Sequence, residues 1–268
     1  MQPSQEPAAT IDQSGQRRAD DNPNPVMLLI PGAWMGGWIW EPTIERLQRA
    51  GIDARTLTLS GLEPGTTTEA LAQIRLDDHV DDAARVVESI DRPVVVVGHS
   101  YSGVVAGLVA DRLPDQVART VIVAGFFPRH DRSLLDDWGT GRDEQTSERA
   151  AIERAGMVWA PPPAEGIDSD EGLDVEHARW LGQRLVPHPG HTILDPASMR
   201  RPITEQRVTV VANVGTGGDP RTTLPVDLAH EELGTWTFQS LPAGHWPMLS
   251  CPEHLDQALL RAVTASTS

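Results

Sequence analysis

The sequence predicts an α/β fold: a mostly parallel central sheet flanked by helices, with a small helical lid inserted after a core strand. Three observations carry this prediction. Short β-branched and aliphatic runs alternate with stretches of helical periodicity along the chain. The central run, Val94–Gly107 (VVVVGHSYSGVVAG), changes abruptly from strand pattern to helix pattern, with a serine at the corner. Loops after strands, where open α/β sheets hold their ligands, carry a serine, an acid and a histidine.

In order, Met1 to about Asn24 is polar and lacks the charged start and apolar stretch of a secretory signal, so it reads as a disordered tail. Val26–Ile30 (VMLLI) is the first strand, closed by Pro31-Gly32-Ala33-Trp34. Pro42 suits the first turn of a helix carrying Ile44 and Leu47, and Gly51 ends it. Ala54–Leu59 alternates as a strand, and Ser60–Thr68 is a Gly/Pro/Thr loop. Asp77–Ile90 is a helix with Val80, Ala84, Val87 and Ile90 on its buried stripe and aspartates near its N-terminus. Val94–Val97 suits a strand buried on both faces, and Thr120–Ala124 another.

Residues 128–202 change character: Asp, Glu and Pro are frequent, and only short helical patterns appear, Glu148–Ala155 and Val175–Leu185. This is too long for a plain loop. The expected organisation is a core formed by 25–127 and 203–268 with a lid over 128–202. The core resumes with strands Arg207–Ala212 and Trp236–Leu241, separated by a Gly-rich loop and a short helix at Val226–Leu233. Pro252 starts a last helix carrying Leu255, Leu259, Leu260 and Val263.

Composition narrows the function. A net charge of −16 argues against nucleic acid and anionic membrane surfaces as partners. No apolar run approaches the roughly 20 residues of a membrane span. The single cysteine, Cys251, excludes an intramolecular disulfide and fits a reducing compartment, so a cytoplasmic location is expected. There is no lysine, which removes Schiff-base chemistry and the Walker-type phosphate loop. No cofactor or metal is expected. His188 and His191 form an H-x-x-H without a third ligand in the sequence pattern.

A strand–turn–helix is the setting in which a G-x-S-x-G nucleophile elbow has meaning. Here it reads Gly98-His99-Ser100-Tyr101-Ser102-Gly103, with serine in place of the second glycine. Ser100 needs a base within reach. His245, in a Gly-containing loop between a strand and a helix, is that candidate. His99 is adjacent to Ser100 but points elsewhere and reads as structural; His79, His177, His230 and His254 fall on helices and read as solvent-facing. Asp219 is the acid in the loop after Arg207–Ala212, with an Asp-Pro turn as its alternative reading. The Ala33 and Tyr101 amides are the expected oxyanion donors. Trp34, Trp138, Trp159, Trp180 and Trp246 are candidate pocket walls, with plain packing the alternative for the inserted ones.

These segments together resemble the α/β-hydrolase superfamily, in the branch of plant methylesterases, hydroxynitrile lyases and their bacterial relatives. Pro31–Trp40 resembles that branch's HGAxxGGWxW, Gly98–Gly103 its GHSxGG, Leu241–Leu249 its histidine loop, and Arg184–Pro189 a lid segment of bacterial members. The resemblance implies Ser100 as nucleophile, His245 as base and Asp219 as acid. Departures are Pro31 for histidine, Ser102 for glycine and a Gly-rich insertion before Asp219. Plant lyases of the branch carry threonine and lysine at the positions of Gly32 and Trp246, so hydrolysis is favoured over that lyase chemistry.

The expected function is serine hydrolysis of a carboxylic ester or lactone of a small apolar or aromatic molecule. A lyase or cofactor-free oxygenase in the same pocket is one alternative, a ligand-binding sensor on the same scaffold another. A monomer or homodimer is expected. An unperturbed histidine base would make activity rise through roughly pH 6–7.

Overall fold

The structure is a computed structural model in which residues 24–168, 172–215 and 217–266 are described; the expected tail, up to residue 23, lies outside them. The strands are β1 (Val26–Ile30), β2 (Ala54–Thr56), β3 (Val94–His99), β4 (Val117–Val123), β5 (Val158–Trp159), β6 (His188–Pro189), β7 (Val208–Ala212) and β8 (Thr237–Ser240). Six of them form one sheet in the order β2-β1-β3-β4-β7-β8, every pair parallel. The principal helices are α1 (Glu41–Arg49), α2 (Leu76–Glu88), α3 (Ser102–Arg112), α4 (Arg142–Arg154), α5 (Val175–Gly182) and α6 (Pro252–Ser266).

Strand alternation divides the core into two layers. Val26, Leu28, Ile30, Val94 and Val96 face one way and meet Val80, Val87, Val105 and Leu108 of α2 and α3. Met27, Leu29, Val95 and Val97 face the other way and meet Leu47 of α1 and Leu255 and Leu259 of α6. Both faces are covered, so VMLLI and VVVV are apolar without interruption.

The strand order reverses direction between β1 and β3, where Ile30 pairs with Gly98. At such a switch point the two following loops diverge to opposite faces and leave a crevice at the carboxyl ends of the strands. The β1 loop Pro31–Trp34 and the β3 turn at Ser100 border that crevice.

Two expected elements differ. The strand at Ala54–Leu59 ends at Thr56. Beyond it the chain leaves the sheet edge to pack on the Gly36–Gly37 turn, whose Gly37 amide donates to Thr58 Oγ1 at 3.0 Å. His79 is fully buried on α2 rather than solvent-facing, because its ring reaches Tyr101 and the Ser60 carbonyl.

Between β4 and β7, the inserted segment carries α4, α5 and the antiparallel pair β5–β6, in which Trp159 faces His188. It is pinned to the core by Arg75 on Asp195 at 2.6 Å and by the Val186 amide on the Trp34 carbonyl at 3.0 Å. Among the described residues no helix is long and apolar enough to cross a membrane.

The tightest approach in the sheet layer is at Gly98. A Cβ there would lie 2.0 Å from the Ser102 carbonyl oxygen, a backbone atom that cannot swing aside. Gly98→Ala is therefore expected to cost about 3 kcal/mol or more. Chemical denaturation reads this directly, and a variant as stable as wild type would contradict the packing.

Candidate active site

Ser100 sits between β3 and α3 with φ of 52°, a left-handed conformation that is uncommon for a residue with a side chain. Three backbone bonds hold it there. Its amide donates to the Val123 carbonyl at 3.0 Å, and its carbonyl accepts from Gly103 and Phe126, each at 3.1 Å. Gly98, Gly103 and Gly125 admit the close contacts: a Cβ on Gly103 would lie 2.3 Å from the Phe126 carbonyl, and one on Gly125 would lie 2.8 Å from the Ser100 carbonyl.

Ser102, the departure from G-x-S-x-G, is wholly buried, and its Oγ donates to the Pro31 carbonyl at 2.5 Å. The two unusual residues thus meet. The hydroxyl that replaces a hydrogen at position 102 ties the elbow to the β1 loop. Gly32 in that loop passes so close that a Cβ would lie 3.0 Å from Ser100 Cβ and 2.7 Å from His99 Nδ1. The β1 loop at Gly32 is thereby carried alongside Ser100.

His245 Nε2 stands 3.0 Å from Ser100 Oγ. Its loop is fixed from below by His99, whose buried Nε2 lies 2.7 Å from the His245 carbonyl. A carbonyl can only accept, so His99 Nε2 carries the proton. His99 is structural, as its position next to Ser100 implies, and it acts by holding the main chain of the histidine loop. Burial, reinforced by the neighbouring His245, pushes the His99 pKa down to about 3. The His245 ring is partly open to the pocket, yet the protein packed around it pushes its pKa down to about 4. It is neutral, and therefore basic, well below pH 6.

Asp219 lies elsewhere. It is exposed, and its Oδ1 accepts from the Arg221 amide at 2.9 Å, capping the short turn Pro220–Thr223. The structure does not bring this carboxylate to His245. The Asp-Pro turn chemistry accounts for its position, and the Gly-rich stretch before it sets it away from the strand end.

Ser100 and His245 open into a cavity of about 570 Å³ with Trp34, Phe126, Trp138, Asn213 and Trp246 among its walls. No carboxylate or arginine is among its described lining residues. A larger hollow of about 750 Å³ lies beside Phe126 and Arg129, but neither Ser100 nor His245 lines it. Of the expected tryptophans, Trp34, Trp138 and Trp246 line this Ser100 cavity. Trp159 is buried behind them, against Trp34 and Trp138, and Trp180 packs on Trp38 beneath Arg184. Phe126 and Asn213 were not singled out by sequence. Their signal was positional: both lie within three residues of a strand's carboxyl end.

A strained serine on a strand-to-helix corner, paired with a histidine from a later loop of a parallel sheet, defines the hydrolase class of α/β proteins. Comparison with known proteins agrees. Residues 27–255 match the family described as the alpha/beta hydrolase family, and the chain belongs to it. Methylesterase 2 of Arabidopsis thaliana is 30% identical over 261 residues, covering 87% of this chain and 94% of that protein. A carbendazim hydrolyzing esterase of Nocardioides is 26% identical over 242 residues, covering 87% and 97%. An extracellular alpha/beta-hydrolase of a Paenibacillus species shares the fold, with a TM-score of 0.74 at 17% identity over 89% of this chain and 98% of that one. Esterase relatives of this kind support ester hydrolysis as the general chemistry.

Buried neutral histidines also set how stability depends on pH. His79 is pushed down to about 4 by burial, alongside His99 and His245. Unfolded histidines take up protons near pH 6.5, while the folded ones resist until about pH 4. Stability is therefore full above about pH 6.5 and is lost as the pH falls towards 4. Thermal unfolding should show Tm dropping by at least about 5 °C between pH 7 and pH 5. A Tm constant across that interval would contradict burial of neutral imidazoles.

Proposed function

We propose that the protein is a serine hydrolase cleaving a carboxylic ester or lactone of a small apolar or aromatic molecule through an acyl-enzyme. The observation that carries this is the 3.0 Å contact between Ser100 Oγ and His245 Nε2 in a tryptophan-walled cavity whose described lining holds no carboxylate or arginine. Ser100 Oγ attacks the carbonyl carbon and His245 Nε2 takes its proton. Negative charge on the carbonyl oxygen is met by the Ala33 and Tyr101 amides. His245 returns the proton to the departing alkoxide, then draws one from water, whose oxygen attacks the acyl carbon; the bond from that carbon to Ser100 Oγ breaks, the acid leaves, and His245 gives the proton back to Ser100 Oγ.

The cavity walls argue for the substrate class. Indole faces and Phe126 favour a flat apolar group, and with no arginine among the described lining residues a carboxylate substituent gains no partner from them. The relatives named methylesterase and carbendazim hydrolyzing esterase support a small leaving alcohol. Lyase chemistry of the branch's plant type fits less well. A threonine side chain at position 32 would displace His99, since even a Cβ lies 2.7 Å from its Nδ1.

Hydrolysis of p-nitrophenyl acetate and butyrate by wild type, Ser100→Ala and His245→Ala tests this reading. Loss of about 10³-fold or more in kcat is expected in both variants; undiminished turnover by Ser100→Ala ends the reading. The acidic limb of kcat/KM should rise near pH 4 and be level above about pH 6, because burial lowers the His245 pKa to about 4. This replaces the rise at roughly pH 6–7 that an exposed imidazole would give. Asp219, the acid expected from sequence, caps an exposed turn instead, and that position sets a test of its own. Asp219→Asn should keep activity within about threefold, whereas a loss near the 10⁴-fold of a triad aspartate would place its carboxylate on His245 during turnover.

A further inference from the structure

Besides lining the cavity, the inserted segment grips the β1 loop beside the reaction centre. Trp34 follows Ala33 and has a φ of 65°, an unfavourable conformation for a bulky residue. Among the described residues, three bonds from the insert hold it there. Its carbonyl accepts from the Val186 amide at 3.0 Å, its indole Nε1 donates to the Trp159 carbonyl at 3.1 Å, and its amide lies 3.3 Å from His188 Nδ1.

The His188 tautomer follows from its partners. Thr192 Oγ1 donates its only proton to the Pro189 carbonyl at 2.7 Å. It must then accept from His188 Nε2, which lies 2.9 Å away. A neutral imidazole with its proton on Nε2 presents a lone pair on Nδ1, aimed at the Trp34 N–H. The ring is wholly buried, which keeps it neutral. It also packs edge-on against the Tyr101 ring, centroids 4.8 Å apart. Tyr101 in turn donates its hydroxyl proton to His79 Nδ1 at 2.9 Å, because His79 Nε2 is committed to the Ser60 carbonyl at 2.8 Å.

One imidazole of the insert therefore touches Tyr101 and the residue next to Ala33, whose amides are the two oxyanion donors of the proposed mechanism. We propose that His188 is a positioning residue: its Nδ1 lone pair holds the Trp34 amide in the left-handed turn and so sets the Ala33 amide beside Ser100. The inference rests on the serine hydrolase reading. It makes the insert a structural part of the oxyanion hole, beyond forming a wall of the pocket.

Two near-isosteres separate this role from packing. In Asn, Oδ1 falls where Nδ1 of histidine stood and can still accept from Trp34. In Gln, Nε2 can still donate to Thr192, but the acceptor for Trp34 is gone. His188→Asn should keep kcat for p-nitrophenyl butyrate within about threefold of wild type, while His188→Gln loses about tenfold or more with KM nearly unchanged. Affinity for an aryl trifluoromethyl ketone, which loads the oxyanion hole, should fall in His188→Gln in step with kcat. Equal activity of His188→Gln and wild type, or equal losses in both variants, overturns the proposal. Nitrogen-15 spectra of the histidines in the wild-type protein test the bond even if a variant fails to fold: an unprotonated Nδ1 on His188 supports it, and a protonated Nδ1 overturns it. A wild type that neither hydrolyses esters nor labels with a fluorophosphonate at Ser100 overturns the hydrolase reading instead, leaving the spectra to decide the His188 bond.

Discussion

The left-handed turn at Ser100 is the constraint on which the rest of the site depends. A side chain at φ of 52° is held only where the surroundings over-determine it. Here they do: three main-chain bonds grip Ser100, and three glycines allow β3, β4 and α3 to close on it. The result lifts Oγ off the sheet edge. Everything the chemistry uses is placed relative to that corner. The β1 loop is drawn against it by the Ser102 hydroxyl on the Pro31 carbonyl, and the histidine loop is drawn over it by His99.

Neutral imidazoles are a recurrent means of construction in this protein. His79, His99 and His188 are each wholly buried, and each uses its ring nitrogens to hold another element. A buried imidazole provides one donor and one acceptor in a rigid plane without carrying charge into the core. His99 joins the elbow to the histidine loop, His79 joins α2 to Tyr101 and to the Ser60 loop, and His188 joins the insert to the β1 loop. The same desolvation lowers the pKa of His245, which instead faces the pocket. Its Nε2 meets Ser100 Oγ, in keeping with the role of base proposed for it.

Much of the fold was legible in the sequence, and the reasons are local. VMLLI and VVVV read as doubly buried strands because helices cover both sheet faces. Pro42, Gly51 and Pro252 mark helix ends through backbone restrictions that neighbours do not change. The strand at Ala54–Thr56 was overestimated because alternation continues after the chain has left the sheet, and pattern alone does not record a hydrogen-bond partner. His79 was misread because helical periodicity gives a face but not what lies opposite that face.

What the sequence determined by itself is the order of chemistry along the chain: a serine at a strand-to-helix corner, a histidine after the last strand, and Gly32 at a close approach in the β1 loop. These follow from short-range sterics, which a few adjacent residues dictate. What the tertiary structure decided is which groups meet. Ser100 and His245 lie 145 positions apart and come within 3.0 Å. Ser102 meets Pro31, and His188 meets Trp34 across 154 positions. Asp219 stays with its own turn. Such pairings depend on strand order and on the path of the insert, and both are set by burial summed over the whole core. No single stretch of sequence contains that sum, so the order of residue types along the chain could be read in advance and their contacts could not.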